Sequence, residues 1–178
     1  MSNNLSQLVI RVATAPRIDM FVIAALDQLL CSTFDLCYCS LPVALKSLLL
    51  SCMDYRLVDE TERYMTRRGL RDKYDHIVLA GASLGAVTEK YPDWNQTFWD
   101  HLGVAIDLHR IHKVMILDHR DCGAYKLILG EDFSKRPKRK PKCTTTYLKR
   151  LKKLIKKKHQ ELEVELLLMN LAGKVERI

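Results

Sequence analysis

The sequence predicts a three-layer α/β domain, with a mostly parallel central sheet covered by helices on both faces. Three observations predict it. Short, nearly unbroken apolar runs recur at Leu48–Cys52, His76–Gly81, Val114–Asp118 and Leu162–Met169, as in strands buried on both sides. Segments with helix start and stop signals separate them, which is the alternation of a parallel sheet. A chain of 178 residues, 48% apolar and 28% charged, is long enough to bury such a core as one domain. It has no 18-residue uncharged apolar run, which argues against a transmembrane protein.

The elements follow in order. Residues 1–45 read as an N-terminal extension, with one or two amphipathic helices over Leu5–Leu30, an interruption at Pro16 and a break at Pro42. The domain proper is expected over 46–178. After the first strand, Asp59-Glu60-Thr61-Glu62 fits a capping box, and its helix should stop near Gly69. Asp93-Trp94-Asn95-Gln96, directly after Pro92, is a second capping box and predicts a helix to about His112. A short helix is expected from near Cys122 and a longer one over Thr146–Gln160. Leu162–Met169 is then the fourth and closing strand.

Charge is unevenly placed. Net charge is +8, but residues 134–158 hold thirteen Lys/Arg and no Asp/Glu, so the rest of the chain is acidic. Within that stretch, Tyr147, Leu148, Leu151, Leu154 and Ile155 recur at helical spacing, so the favoured reading is a helix with a solvated cationic face. Nucleic acid, an anionic membrane surface or nuclear targeting are the alternatives for it. Six cysteines are too few for a disulfide-stapled secreted scaffold in a chain of this length. Met20–Leu26 is too short and too poorly flanked for a signal peptide. A cytoplasmic location is therefore expected, with mitochondrial targeting as the alternative because Asp19 is the lone acid in the first 26 residues.

Ligands of open parallel sheets bind beyond the carboxyl ends of the strands. Two of these ends carry reactive residues, Cys52-Met53-Asp54-Tyr55-Arg56 and Asp118-His119-Arg120-Asp121-Cys122-Gly123. If the strands are neighbours, Cys52, His119 and Cys122 meet as two thiols and one imidazole. That is the donor set of a catalytic Zn2+ site with one position open to water, whose pKa zinc lowers toward about 7. Gly123 is expected to let the backbone come close to the metal. Strand alternation would place Cys52, Asp54 and Arg56 on one face, where Arg56 can hold the Asp54 carboxylate bidentately. An ionised, oriented carboxylate beside a metal-bound water can aim it at an electrophile.

The segments SCMDYRL and DHRDCGAY resemble the zinc motifs of the β-class carbonic anhydrases, and the resemblance runs from about Lys46 to Ile178. It implies Cys52, His119 and Cys122 as zinc ligands and Asp54 with Arg56 as the catalytic pair. It also implies reversible hydration of carbon dioxide to bicarbonate and a proton, in a homodimer or higher homo-oligomer. Two places depart from the family pattern. Leu79-Ala80-Gly81 stands where an Asn-Ala-Gly-Gly-like turn is usual, and Asp118 where a glycine commonly precedes the histidine.

Other readings weigh less. Cys122 and Cys52 lack the Cys-x5-Arg loop of a phosphatase, since Ile128 and Val58 stand at the arginine position. The spacing of Cys31, Cys37 and Cys39 fits no common zinc knuckle and suits core or loop cysteines. His101, His109 and His112 are read as a solvated helix face, and Gly81-x-x-x-Gly85 as a tight turn bordering the site. From another class, a non-catalytic zinc module could dock on a polyanion through the basic segment. A zinc hydrolase of a related small electrophile is the third reading. The boundary at residue 45 is testable: a chain beginning near Ala44 should still fold and bind zinc, and loss of folding would make the extension part of the core.

Overall fold

The structure, a computed structural model, describes residues 47–130 and 140–178, with the side chains of 140–143 left out. The expected N-terminal helices, Cys31, Cys37, Cys39 and residues 134–139 of the basic stretch lie outside the described residues, while Lys140–Lys142, expected with residues 135–139 as an exposed loop, open a helix instead. The elements are β1 (Ser47–Cys52), a 3-10 turn (Tyr55–Leu57), α1 (Val58–Arg67), β2 (Tyr74–Leu79), α2 (Pro92–His109), β3 (Lys113–His119), α3 (Gly123–Leu129), α4 (Lys140–Lys158), β4 (Glu163–Met169) and β5 (Val175–Arg177).

The described strands form one sheet in the order β2-β1-β3-β4-β5. The first four are parallel, and β5 runs antiparallel to β4. The predicted fold class is therefore correct. Successive strand side chains point to opposite faces. Leu48 and Leu50 pack with Phe98, Leu102, Leu148, Leu151 and Ile155 under α2 and α4, while Leu49 packs with Met65, Met115 and Leu167 under α1. The chain leaves β1 for β2 on one side and returns to β3 on the other. This order reversal opens a crevice at the carboxyl ends of β1 and β3. None of the described helices is long and apolar enough to cross a membrane.

Neither expected capping box forms. Helix α1 starts one residue before Asp59 because the 3-10 turn runs straight into it, and Leu57 at the cap offers no side-chain bond. Asp59 and Glu60 instead occupy the first turn, where they favour the positive end of the helix. Helix α2 starts at Pro92, and Asn95 turns its amide to the Thr88 and Tyr91 carbonyls rather than back to a cap. It ends at His109, with Arg110 left-handed at φ 50°, so His112 lies beyond it. His109 pairs with Asp75 on β2 at 2.8 Å and is not simply solvated. Helix α4 begins at Lys140, earlier than expected, with Pro141 tolerated in its first turn. On its exposed side stand Lys149, Lys152, Lys153 and Lys157, as the cationic-face reading requires.

The fourth strand does not close the sheet. Asn170 Oδ1 accepts from the Ala172 and Lys174 N–H groups and turns the chain into β5. Gly173, at φ 75°, completes that turn, and a Cβ there would run into the Glu60 carboxylate. Strand β5 brings Arg177 to Glu165 on β4. Glu165 is 6% exposed and also holds Arg68 at 3.1 Å and Lys113 at 2.9 Å. Burial alone would raise its pKa, but the hydrogen bonds from Arg68, Lys113 and Arg177 hold it at about 2.

A carboxylate depressed in the folded state stabilises the fold above its unfolded pKa, ordinarily 4.5 here, and that contribution fades as pH falls toward about 2. Glu165→Gln should cost about 3 kcal/mol at pH 7, the scale for stranding buried charges. Urea unfolding should show the gap between the two proteins narrowing steadily from pH 5 downward. A gap that stays constant to pH 2.5 would contradict this account of the cluster.

Candidate metal centre

The register sets β1 beside β3, pairing Ser51 with Leu117, so that Cys52 ends one strand and His119 the other at the same end of the sheet. Two residues after His119 the chain turns sharply. Asp121 takes a left-handed φ of 63°, uncommon without a glycine, and this delivers Cys122 as the cap of α3. The turn is tied down by its neighbours. Arg120 N–H donates to the Met169 carbonyl of β4 at 2.8 Å, and its guanidinium pairs with Glu176 of β5.

The three predicted donors meet, their ligand atoms lying within 4.8 Å of one another. The two sulfurs are 3.6 Å apart, too far for a disulfide. Two thiolates at about 2.3 Å from a tetrahedral ion would stand about 3.8 Å apart, close to what is observed. His119 Nδ1 lies 2.8 Å from the Arg120 carbonyl, which fixes Nδ1 as the donor and leaves Nε2 with its lone pair. Nε2 is buried and has no hydrogen-bond partner among the described residues. An orphaned imidazole nitrogen beside two thiols fits a metal ion.

The electrostatics point the same way. The Cys122 thiol donates to Cys52, whose pKa is lowered by that bond despite burial, with help from His119 and the Gly81 N–H at 3.3 Å. The same bond, with burial, pushes Cys122 up. The pair thus behaves as one thiolate sharing one proton, ready to lose it to a cation. Burial pulls His119 down, but the Cys52 sulfur, the Arg120 carbonyl and Asp54 leave it raised overall, so a proton held at Nε2 would, like that of the thiol pair, have to leave when a metal ion binds.

Asp54 and Arg56 pair as expected, by a different route. The strand stops at Cys52, so alternation along it does not bring them together. Asp54 caps the 3-10 turn, accepting the Arg56 N–H on Oδ1 at 3.2 Å. The turn swings the guanidinium back onto the carboxylate, with Nε to Oδ1 at 2.9 Å and Nη2 to Oδ2 at 2.6 Å. Nη2 also reaches the Asp121 carbonyl at 3.3 Å and so spans both halves of the site. The side-chain bonds from Arg56 lower the Asp54 pKa to about 2. Asp54 Oδ2 lies 3.7 Å from His119 Nε2, at the mouth of the donor set. Both residues line an open cleft of about 550 Å³ whose apolar wall includes Met53, Tyr55, Ala80, Ala124 and Leu127.

Glycine roles divide. Gly81, at φ 78°, and Gly85, where a Cβ would stand 2.6 Å from the Ala80 carbonyl, form the tight turn expected beside the site. At Gly123 a Cβ would meet no protein atom within 4 Å, so the room there lies on the side open to the cleft that Gly123 lines. Sequence reasoning gave Asp118 no role. It is 1% exposed and accepts from the Ser83 N–H at 2.9 Å, Ser83 Oγ at 2.5 Å and the Tyr125 hydroxyl at 2.9 Å. Burial raises its pKa to about 6 against these bonds. An acid closing an apolar strand run was the available signal. His101, bonded to the Thr97 carbonyl, and His109 both have partners outside the metal centre.

A family model described as putative carbonic anhydrase matches residues 44–178. An uncharacterized protein of Rickettsia bellii (strain RML369-C) is 42% identical over 132 residues, covering 74% of this chain and 80% of its own. Among solved structures, the carbonic anhydrase of Streptococcus mutans superposes with a TM-score of 0.52 at 17% identity, covering 89% of this chain and 95% of that one. A tetrameric β-carbonic anhydrase of Sordaria macrospora gives 0.51 at 14%, covering 76% and 81%. At such identities these two structures bear on the fold alone.

Proposed function

The chain belongs to the putative carbonic anhydrase family, and from that premise we propose that it catalyses zinc-dependent, reversible hydration of carbon dioxide to bicarbonate and a proton. The observation that carries this reading is the unpartnered His119 Nε2 facing two thiols beside an arginine-clamped carboxylate. Cys52, His119 and Cys122 would hold zinc. When bound, zinc would supply the Lewis acidity that brings a water toward ionisation near neutrality.

The chain's own residues then divide the remaining work. Asp54, kept ionised by Arg56, accepts a hydrogen bond from a water in the cleft and directs its lone pair. Arg56 fixes the carboxylate by two parallel bonds, which a lysine at that position could not reproduce. The apolar wall of Ala80, Ala124 and Leu127 suits a small uncharged linear substrate. A homo-oligomer is part of the proposal. Exposed Met53, Tyr55 and Leu127 around the cleft support it.

The metal part predicts about one zinc per chain, with Cys52→Ser, His119→Ala and Cys122→Ser each sharply reducing it. Full zinc in all three variants would sink the ligand assignment. The catalytic part is read by stopped-flow hydration of carbon dioxide. Asp54→Asn and Arg56→Lys should keep zinc yet lose at least about tenfold in rate, roughly 1.4 kcal/mol of transition-state stabilisation. Wild-type activity should rise with pH around neutrality. Asp54 is already ionised throughout that range, so the rise does not report its titration. Zinc-loaded protein inactive from about pH 6.5 to 9 would end the catalytic reading and leave the zinc module docking on a polyanion.

A further inference from the structure

We propose that Asp118 is a positioning residue for the metal centre: its buried carboxylate clasps the Gly81–Ser83 turn and α3 together, so that Gly81 N–H stays aimed at the Cys52 sulfur. The inference rests on the reading of Cys52, His119 and Cys122 as metal ligands.

The argument begins with cost. A carboxylate 1% exposed at the end of a parallel strand is expensive to bury, and among the described residues no lysine or arginine pairs with it. An apolar side chain would serve a sheet core better. What Asp118 has in return is three hydroxyl or N–H donors. They come from the two segments that flank the donor set.

Ser83 gives two of them and lies two residues from Gly81, whose N–H sits 3.3 Å from Cys52 Sγ. Tyr125 gives the third and lies one helical turn after Cys122 on α3. Asp118 itself directly precedes His119. One side chain therefore ties the strand of the second ligand to the helix of the third, and to the turn that addresses the first. Both donors are as buried as the acceptor, Ser83 at 0% and Tyr125 at 2%, so water does not compete for these bonds. The turn is also closely packed: a Cβ at Gly81 would press on Ala124 at 3.3 Å and one at Gly85 on the Ala80 carbonyl at 2.6 Å.

An N–H donated to a thiolate withdraws electron density from sulfur. Losing it should move a thiolate-to-metal charge-transfer band to longer wavelength. Groups that support metal ligands in this way typically govern affinity by about 10- to 100-fold.

The test uses the full chain loaded with cobalt(II), comparing wild type, Asp118→Asn and Ser83→Ala. Glu165→Gln serves as a control, destabilised away from the site. Asp118→Asn keeps the volume but sets an amide against the Ser83 and Tyr125 donors. Its sulfur-to-cobalt band should shift to longer wavelength, and transfer of the metal to a chelator should speed up about tenfold or more. Ser83→Ala should shift the band the same way by less, with release about threefold faster. The control should match wild type in both readouts, which separates positioning from general loosening. A folded Asp118→Asn protein with the wild-type band and release rate overturns the proposal. If that variant does not fold, Ser83→Ala decides by the same readouts, and unchanged values overturn it. Wild-type protein that takes up neither cobalt nor zinc fails the metal reading itself, a result distinct from either.

Discussion

The register of β1 against β3 is the constraint on which the rest depends. Parallel strands have no hairpin to fix their alignment, so it is set by which apolar side chains fit each face. Here Leu48 and Leu50 must meet the α2 and α4 side while Leu49 meets α1. A slip of one residue would turn all three to the wrong face. It would also part Cys52 from His119 by about 3.3 Å, more than a metal–ligand bond length. The packing of leucines far from the cleft therefore sets the geometry of the donors within it.

Three carboxylates mark three ways of handling charge. Glu165 is buried and outnumbered by cations, so it is ionised and structural. Asp54 meets one arginine at the cleft mouth, which fixes its direction and leaves it within reach of solvent. Asp118 is buried with hydroxyl and N–H donors and no cation, which costs stability and defines position. Distance from water and the kind of donor separate the three roles.

The layered architecture and the donor set were legible because both depend on local sequence. Apolar runs announce parallel strands, and reactive residues placed just past them announce the crevice. What was illegible depends on partners distant in sequence. The capping boxes had the right letters, but a 3-10 turn before α1 and the Thr88 carbonyl beside Asn95 took their place. Strand β5 is three residues long and owes its place to Asn170 and to the room beside Glu60. Asp54 and Arg56 were paired correctly on a wrong local geometry, since x-spacing by two brings side chains together in a tight turn as well as in a strand. Asp118 was noticed as unusual, but its purpose depends on Ser83 and Tyr125, from opposite sides of it in the chain.

The turn that begins at Ala80 also separates what can be redesigned around the cleft from what cannot. Met53, Tyr55 and Leu127 reach the cleft 64%, 84% and 65% exposed in the single chain, so a combinatorial library can vary them at small cost to its folding, the cost falling instead on the proposed assembly. Gly81 is held by its backbone angle, and Gly85 by the carbonyl that a methyl group would strike. Reshaping the pocket by directed evolution is therefore easiest at these exposed side chains. The turn behind Ala80 is fixed in backbone and can be changed only by replacing the loop as a unit.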